Sequence, residues 1–267
     1  MGGSKVSKRP RLHALPAVIL PSTAPPQEED PSLDEESKRE LAGYQLPTDR
    51  DAANNALPDY LAPDLDIIFI GINPGLVAGK VGRYYPGGGN HFWKCAYHSG
   101  LLSEPLGPAD DFTLPSRARI GLTCFVRRTT RVASDLKKAE LREGALELKT
   151  RLQLYRPRIA AFNGKEIFRI FSGLKEFPFG LQEDLVEGTQ TRLYVLPSSS
   201  ARCTQLPRYT DKLLYYNGLR KLRDYLKGEI PEPGPDELSF PSDLPSPPRK
   251  PKNADKTPSG EAGERPF

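Results

Sequence analysis

Short apolar runs alternate with amphipathic stretches through the middle of the chain. Asp66-Ile67-Ile68-Phe69-Ile70 is apolar and β-branched at nearly every position, as in a strand buried on both faces. Ile120 to Phe125, Arg158 to Phe162 and Arg192 to Leu196 repeat the pattern and predict three more strands. Between them the apolar positions fall at helical spacing. Phe92 to Leu101 follows Asn90, whose side chain suits a helix cap. Leu136 to Tyr155 carries Leu141, Leu146, Leu148 and Leu152 near that spacing. Lys165 to Phe171 reads as a short helix, and Leu213, Tyr216, Leu219, Leu222 and Leu226 mark one face of a last one. The β-α-β-α-β-α-β-α order predicts an α/β fold, a central mostly parallel four-stranded sheet between two helix layers. Gly71, Pro74, Gly75 and Pro86 to Gly89 interrupt regular structure after the first strand, so a turn-rich loop is expected there.

The pattern fades at both ends. Residues 1–44 mix basic residues, an acidic block and prolines, and are expected to be a disordered tail. Residues 231–267 are proline-rich and read as a second disordered tail. The globular domain is therefore placed at 45–230. Lys8-Arg9-Pro10-Arg11 and Arg249-Lys250-Pro251-Lys252 are small basic patches, either solvated arms or address and tethering signals. With the domain reading below, they point to a nuclear protein. Leu226-Lys227-Gly228-Glu229 fits a hydrophobic-Lys-x-Glu conjugation pattern, though a plain helix end fits as well.

Composition adds exclusions. The 267 residues suffice for a real core, and 38 basic against 34 acidic residues leave a mild positive charge. That balance permits an anionic partner without requiring one. Cys95, Cys124 and Cys203 lie far apart, with no C-x-x-C pair. They give no disulfide framework or zinc signature and are too few for an iron–sulfur cluster, so a reducing compartment and no metal are expected. Leu12 to Leu20 is too short and proline-broken for a secretory signal, no apolar run has membrane length, and Val6 argues against myristoylation.

Candidate chemistry gathers where strands end. Asn73 sits in Gly71-Ile72-Asn73-Pro74-Gly75-Leu76, at the C-terminal mouth of the first strand, where open α/β sheets place ligands. This block, Tyr85-Pro86-Gly87-Gly88-Gly89-Asn90-His91-Phe92-Trp93-Lys94 and Leu196-Pro197-Ser198-Ser199-Ser200-Ala201-Arg202-Cys203 resemble the mismatch-specific uracil- and thymine-DNA glycosylases. Arg128-Thr129-Thr130 and Phe162-Asn163-Gly164-Lys165 fall between them in that family's order, and the resemblance spans roughly residues 45–230. It implies the α/β/α glycosylase fold and removal of uracil and thymine opposite guanine by base flipping and hydrolysis, initiating base excision repair. It implies a monomer acting on double-stranded DNA without cofactor or metal. No lysine in the blocks stands where an imine-forming amine is expected, so the enzyme would be monofunctional.

The resemblance also assigns residues. Asn73 would place the attacking water with help from Thr130. An amide is no useful base at neutral pH, so catalysis would rest on positioning and on stabilising a cationic sugar and an anionic base. Tyr85 would stack on the flipped base. Ile72, Ala78, Tyr84 and Cys124 would complete the base pocket, the small Ala78 leaving room for a 5-methyl group. Ser198, Ser199, Ser200 and Lys165 would meet phosphates, and Arg202 would fill the hole left in the stack. Ala201, Cys203 and Pro207 would face the orphaned guanine. Two residues depart from the family pattern: Tyr84 replaces a histidine, and Cys124 replaces an asparagine beside the base. Those departures weaken the carry-over of base range, including modified cytosines. They also leave open a catalytically weak DNA-binding module of the same fold. A nucleotide-binding enzyme using Gly87 to Gly89 fits less well, because these glycines lack the G-K-[ST] or G-x-G-x-x-G order.

Overall fold

A computed structural model describes residues 56–200 and 202–242. Both basic patches, the whole expected N-terminal tail and Ala201 lie outside the described residues.

Six strands form one sheet: β1 (Ile67–Gly71), β2 (Ile120–Cys124), β3 (Ile159–Asn163), β4 (Phe179–Leu185), β5 (Arg192–Leu196) and β6 (Ser239–Phe240). Their order is β2-β1-β3-β5-β4-β6. The four expected strands are the parallel ones, and every residue of β1, β2 and β3 is buried, which explains their unbroken apolar sequence. The expectation of four strands is corrected by β4 and β6, which add an antiparallel edge. β4 escapes a search for apolar runs because Gln182, Glu183 and Asp184 break it, and Glu183 and Asp184 face solvent.

The helices are α1 (Leu76–Val81), α2 (Phe92–His98), α3 (Leu114–Ala118), α4 (Lys138–Tyr155), α5 (Lys165–Ser172), α6 (Tyr209–Leu226) and α7 (Pro235–Leu238). Asn90 does serve at the start of α2, its side-chain oxygen accepting the Phe92 N–H at 3.0 Å. The expected loop after β1 is partly helix: the turn ends at Gly75, and α1 runs from there to a left-handed Gly82. The second correction is at the C-terminus. Residues 235–240 do not join a tail but fold as α7 and β6, and Phe240 packs edge-on against Tyr215 at 5.1 Å.

The layering follows from register. Ile70 pairs with Phe162, and Phe69 with Ala161, so Phe69 and Phe162 point to opposite faces. Phe69 meets Phe92 of α2 and Tyr216 of α6, at ring distances of 5.0 and 6.2 Å. Phe162 meets Phe168 and Phe171 of α5, at 5.1 and 5.0 Å. Helices therefore cover both faces, and the C-terminal ends of β1, β2, β3 and β5 share one rim. From β1 the chain goes first to β2 on one side, then crosses to β3 on the other. A crevice opens at such a reversal.

Candidate active site

That crevice is a cavity of about 280 Å³. Its wall comes from all four parallel strand ends: residues 71–78 after β1, Cys124 of β2, Asn163 of β3, and Ser198, Ser199, Ser200 and Arg202 after β5. A second cavity, of about 620 Å³, lies among Arg156, Arg158, residues 188–191 and Leu226. It contains none of the sequence-predicted site residues.

Asn73 is held from one side. Its Nδ2 donates to Arg128 O at 2.9 Å and to Thr130 Oγ1 at 2.7 Å. A backbone carbonyl can only accept, so the amide orientation is determined by the network. Thr130 in turn donates its hydroxyl proton to Val132 O at 2.8 Å. Both N–H groups of the amide are thus committed, and Oδ1 accepts nothing from the described residues. It remains as the group that can accept a hydrogen bond from a water. The 128–132 loop is braced from below by Arg128, which gives two hydrogen bonds to Glu140 of α4, at 2.6 and 3.0 Å. Those bonds, with the Lys137 backbone N–H, hold the Glu140 carboxyl down at about 2.

Tyr85 has φ +52°, in the left-handed region, unusual for an aromatic residue. One ring face lies on Phe92 at 4.2 Å, and the residue lines the cavity. Its hydroxyl is buried beside Gly71 and Cys124 with no partner at hydrogen-bond distance among the described residues, and burial raises its pKa. Tyr84 contributes to the wall but is nearly inaccessible: its Oη donates to Pro58 O at 3.1 Å, and its N–H donates to the fully buried Asp111. Cys124 is buried, and burial pushes its thiol up to about 12, so it is neutral in ordinary buffers. Ile72 and Ala78 line the same cavity.

The loop after β5 divides its residues. Ser199 is buried and locked to Asn163: Nδ2 of the amide donates to Ser199 Oγ, and Ser199 N–H donates to Oδ1, both at 2.8 Å. Ser198 and Ser200 line the cavity beside it. Arg202 is exposed at the mouth, with Nη1 3.5 Å from Arg131 O. Cys203 and Pro207 lie outside the cavity wall. Lys165 departs furthest from expectation. Its ammonium stands over the rings of Phe177 and Phe179, at 5.3 and 4.6 Å from their centroids, away from the cavity. Lysine favours such aromatic faces, and these rings come from a segment invisible to a local motif.

Sequence reasoning missed several participants. Asn163 stands in a sequence block with no role of its own to mark it, yet its amide fixes the loop after β5. Arg128 and Glu140 set the carbonyl that holds Asn73. A fully buried Lys212 reaches the same loops from α6. Only the strand-end position of Asn163 offered a signal beforehand. Among the described residues, no group of three His, Cys, Asp or Glu side chains could hold a metal ion.

The fold and crevice define the class: a doubly wound α/β domain that presents a pinned amide and an aromatic face at the carboxyl edge of its sheet. The model of the Uracil DNA glycosylase superfamily matches residues 58–220, and the chain belongs to that superfamily. Membership places it among the DNA glycosylases, hydrolases that act on DNA. The chain is also similar to the solution NMR structure of a candidate uracil DNA glycosylase from Methanosarcina acetivorans. Identity there is 20%, over 62% of this chain and 98% of that one, with a TM-score of 0.43.

Proposed function

We propose that this protein is a monofunctional, mismatch-directed DNA glycosylase that removes uracil and thymine opposite guanine. The observation that carries the reading is the amide of Asn73, with both N–H groups tied back and only Oδ1 left to orient a water. A water held there has its lone pair, not its proton, free to meet C1′ of a flipped nucleotide. Among the described residues lining the cavity none is a carboxylate, and in the proposed reaction the glycosidic bond is largely broken before attack. The departing base leaves as an anion, and the sugar carries transient positive charge, which DNA phosphates stabilise. Such chemistry favours positioning over proton transfer. Tyr85, backed by Phe92, offers a face to any flipped pyrimidine. The small Ala78 and the neutral thiol of Cys124 give the wall two uncharged side chains that could sit against a 5-methyl substituent. Arg202, exposed at the mouth and lightly held, is suited to enter the duplex as the base leaves.

The test is single-turnover cleavage of G·U, G·T and A·U duplexes, with divalent metal chelated. We expect excision from both mismatches, faster for uracil, leaving an abasic site without strand scission. Excision of uracil with equal efficiency from A·U would refute mismatch direction. Duplex binding without excision would instead support a DNA-binding module.

A further inference from the structure

Lys212, in the first turn of α6, is fully buried. Its Nζ lies 3.0 Å from His91 Nδ1 and donates to Ser200 O, also at 3.0 Å. These partners come from the two loops that flank the cavity mouth. His91 ends the loop carrying Tyr85, and Ser200 stands two residues before Arg202. A direct bond joins the same loops, from His91 N–H to Ser199 O at 2.8 Å. The other titratable groups around His91 are Lys94 and Asp211; those around Lys212 are Cys203, Cys95 and Asp211. Asp211 accepts hydrogen bonds from the Arg208 backbone and guanidinium, and burial pushes the Cys95 thiol up to about 12. Among the described residues, the ammonium hydrogen-bonds to His91 Nδ1 and Ser200 O and to no carboxylate. Burying a cation in that way is costly unless its hydrogen bonds are good. Burial lowers the pKa of Lys212 as well; while it keeps its proton the ammonium has only donors, so His91 Nδ1 supplies the lone pair and the imidazole is neutral with its proton on Nε2.

We propose that Lys212 and neutral His91 are positioning residues for base excision, clamping the base-stacking loop to the Arg202 loop, and that protonation of His91 opens the clamp. A proton on Nδ1 would turn the acceptor into a donor and set two cations face to face. Burial and the nearby Lys212 both lower the pKa of His91, so the clamp holds at neutral pH. The sign follows. The folded state disfavours the proton, so the stabilisation is complete above the ordinary histidine value near 6.5. It is lost as pH falls from there towards the lowered folded value.

The proposal rests on the glycosylase reading for its activity test but not for its structural one. Single-turnover excision from a G·U duplex is followed from acid to mildly alkaline pH for the parent, Lys212→Met and His91→Gln. Glutamine keeps an acceptor and does not titrate. Backbone hydrogen exchange over residues 198–206 is read without DNA, corrected for intrinsic rates. Lys212→Met is expected to slow excision about tenfold or more, with duplex binding little changed, and to raise exchange over 198–206. His91→Gln is expected to keep the neutral rate, move the acid limb of excision to lower pH and abolish the acid-induced rise in exchange. Parental rate and exchange in Lys212→Met overturn the clamp. Should that variant not fold, an unmoved acid limb and an unchanged exchange profile in His91→Gln overturn it. A parent that excises nothing refutes the glycosylase reading instead, and the exchange data still decide the clamp.

Discussion

In the proposed reaction Asn73 acts through one oxygen, and Arg128 and Thr130, by holding its Nδ2, keep that oxygen available. Asn73→Ala should lower single-turnover excision about 10²–10³-fold, the scale for losing one pre-set polar group. Binding of an uncleavable duplex should stay within a few-fold, because the proposed phosphate contacts lie on other loops; parallel rate and affinity measurements check this. Glu140→Ala tests the brace at one remove. Without its carboxylate, Arg128 no longer anchors the carbonyl that orients Asn73, and excision should fall several-fold while affinity holds. Arg202→Ala separates wedge from clamp. A wedge matters most when the base must leave a stack, so duplex excision should slow far more than any excision from single strands. Equal losses, with a salt slope reduced by about one contact, would make Arg202 a phosphate ligand instead. That Asn73, Tyr85 and Arg202 gather at one cavity was legible, because a strand end, a glycine-rich loop and a polar turn announce themselves locally. The aromatic seat of Lys165 was not, since Phe177 and Phe179 lie beyond the reach of a four-residue motif.

At the scale of elements, close approach sets the tolerance. α4 crosses the end of β2 at Gly144, where an added Cβ would stand 2.5 Å from Phe125 O. The N–H of Phe125 bonds Gly71 O at 2.7 Å, so a push on this backbone reaches the loop that carries Asn73. Gly144→Ala should cost about 1–3 kcal/mol, the range for overpacking, and should also depress excision. Thermal unfolding and single-turnover rates on the same sample check both. The long helices were legible from their spacing. The short α1 and α3 were not, because six and five residues give too little period to read.

For the whole molecule, the C-terminal segment changes where the domain ends. Gly180 takes φ +91° and lies so close to Leu238 O that a Cβ there would clash at 2.0 Å. Leu238 and Phe240 are both buried, and Lys221 of α6 pairs with Glu237 of α7. Truncation after residue 230 should therefore destabilise the domain by about 3 kcal/mol or more, given what burying two large apolar side chains contributes. Truncation after 242 should leave cooperative unfolding intact. Denaturant titration of the two truncations distinguishes them, and equal stability would mean that the added edge strand contributes little.

The chain's own pattern determined four parallel strands, four of the helices and the strand-end address of Asn73. These follow from periodicity and turn chemistry, which are properties of neighbouring residues. Tertiary structure alone decided that Asn73 is pinned by Arg128 and Thr130, that Asn163 locks Ser199, that Lys212 bridges two distant loops, and that residues 235–240 close the sheet. Each of these depends on groups brought together across long stretches of chain. No local period encodes such a meeting, because burial and hydrogen-bond demand are satisfied only once the sheet has formed.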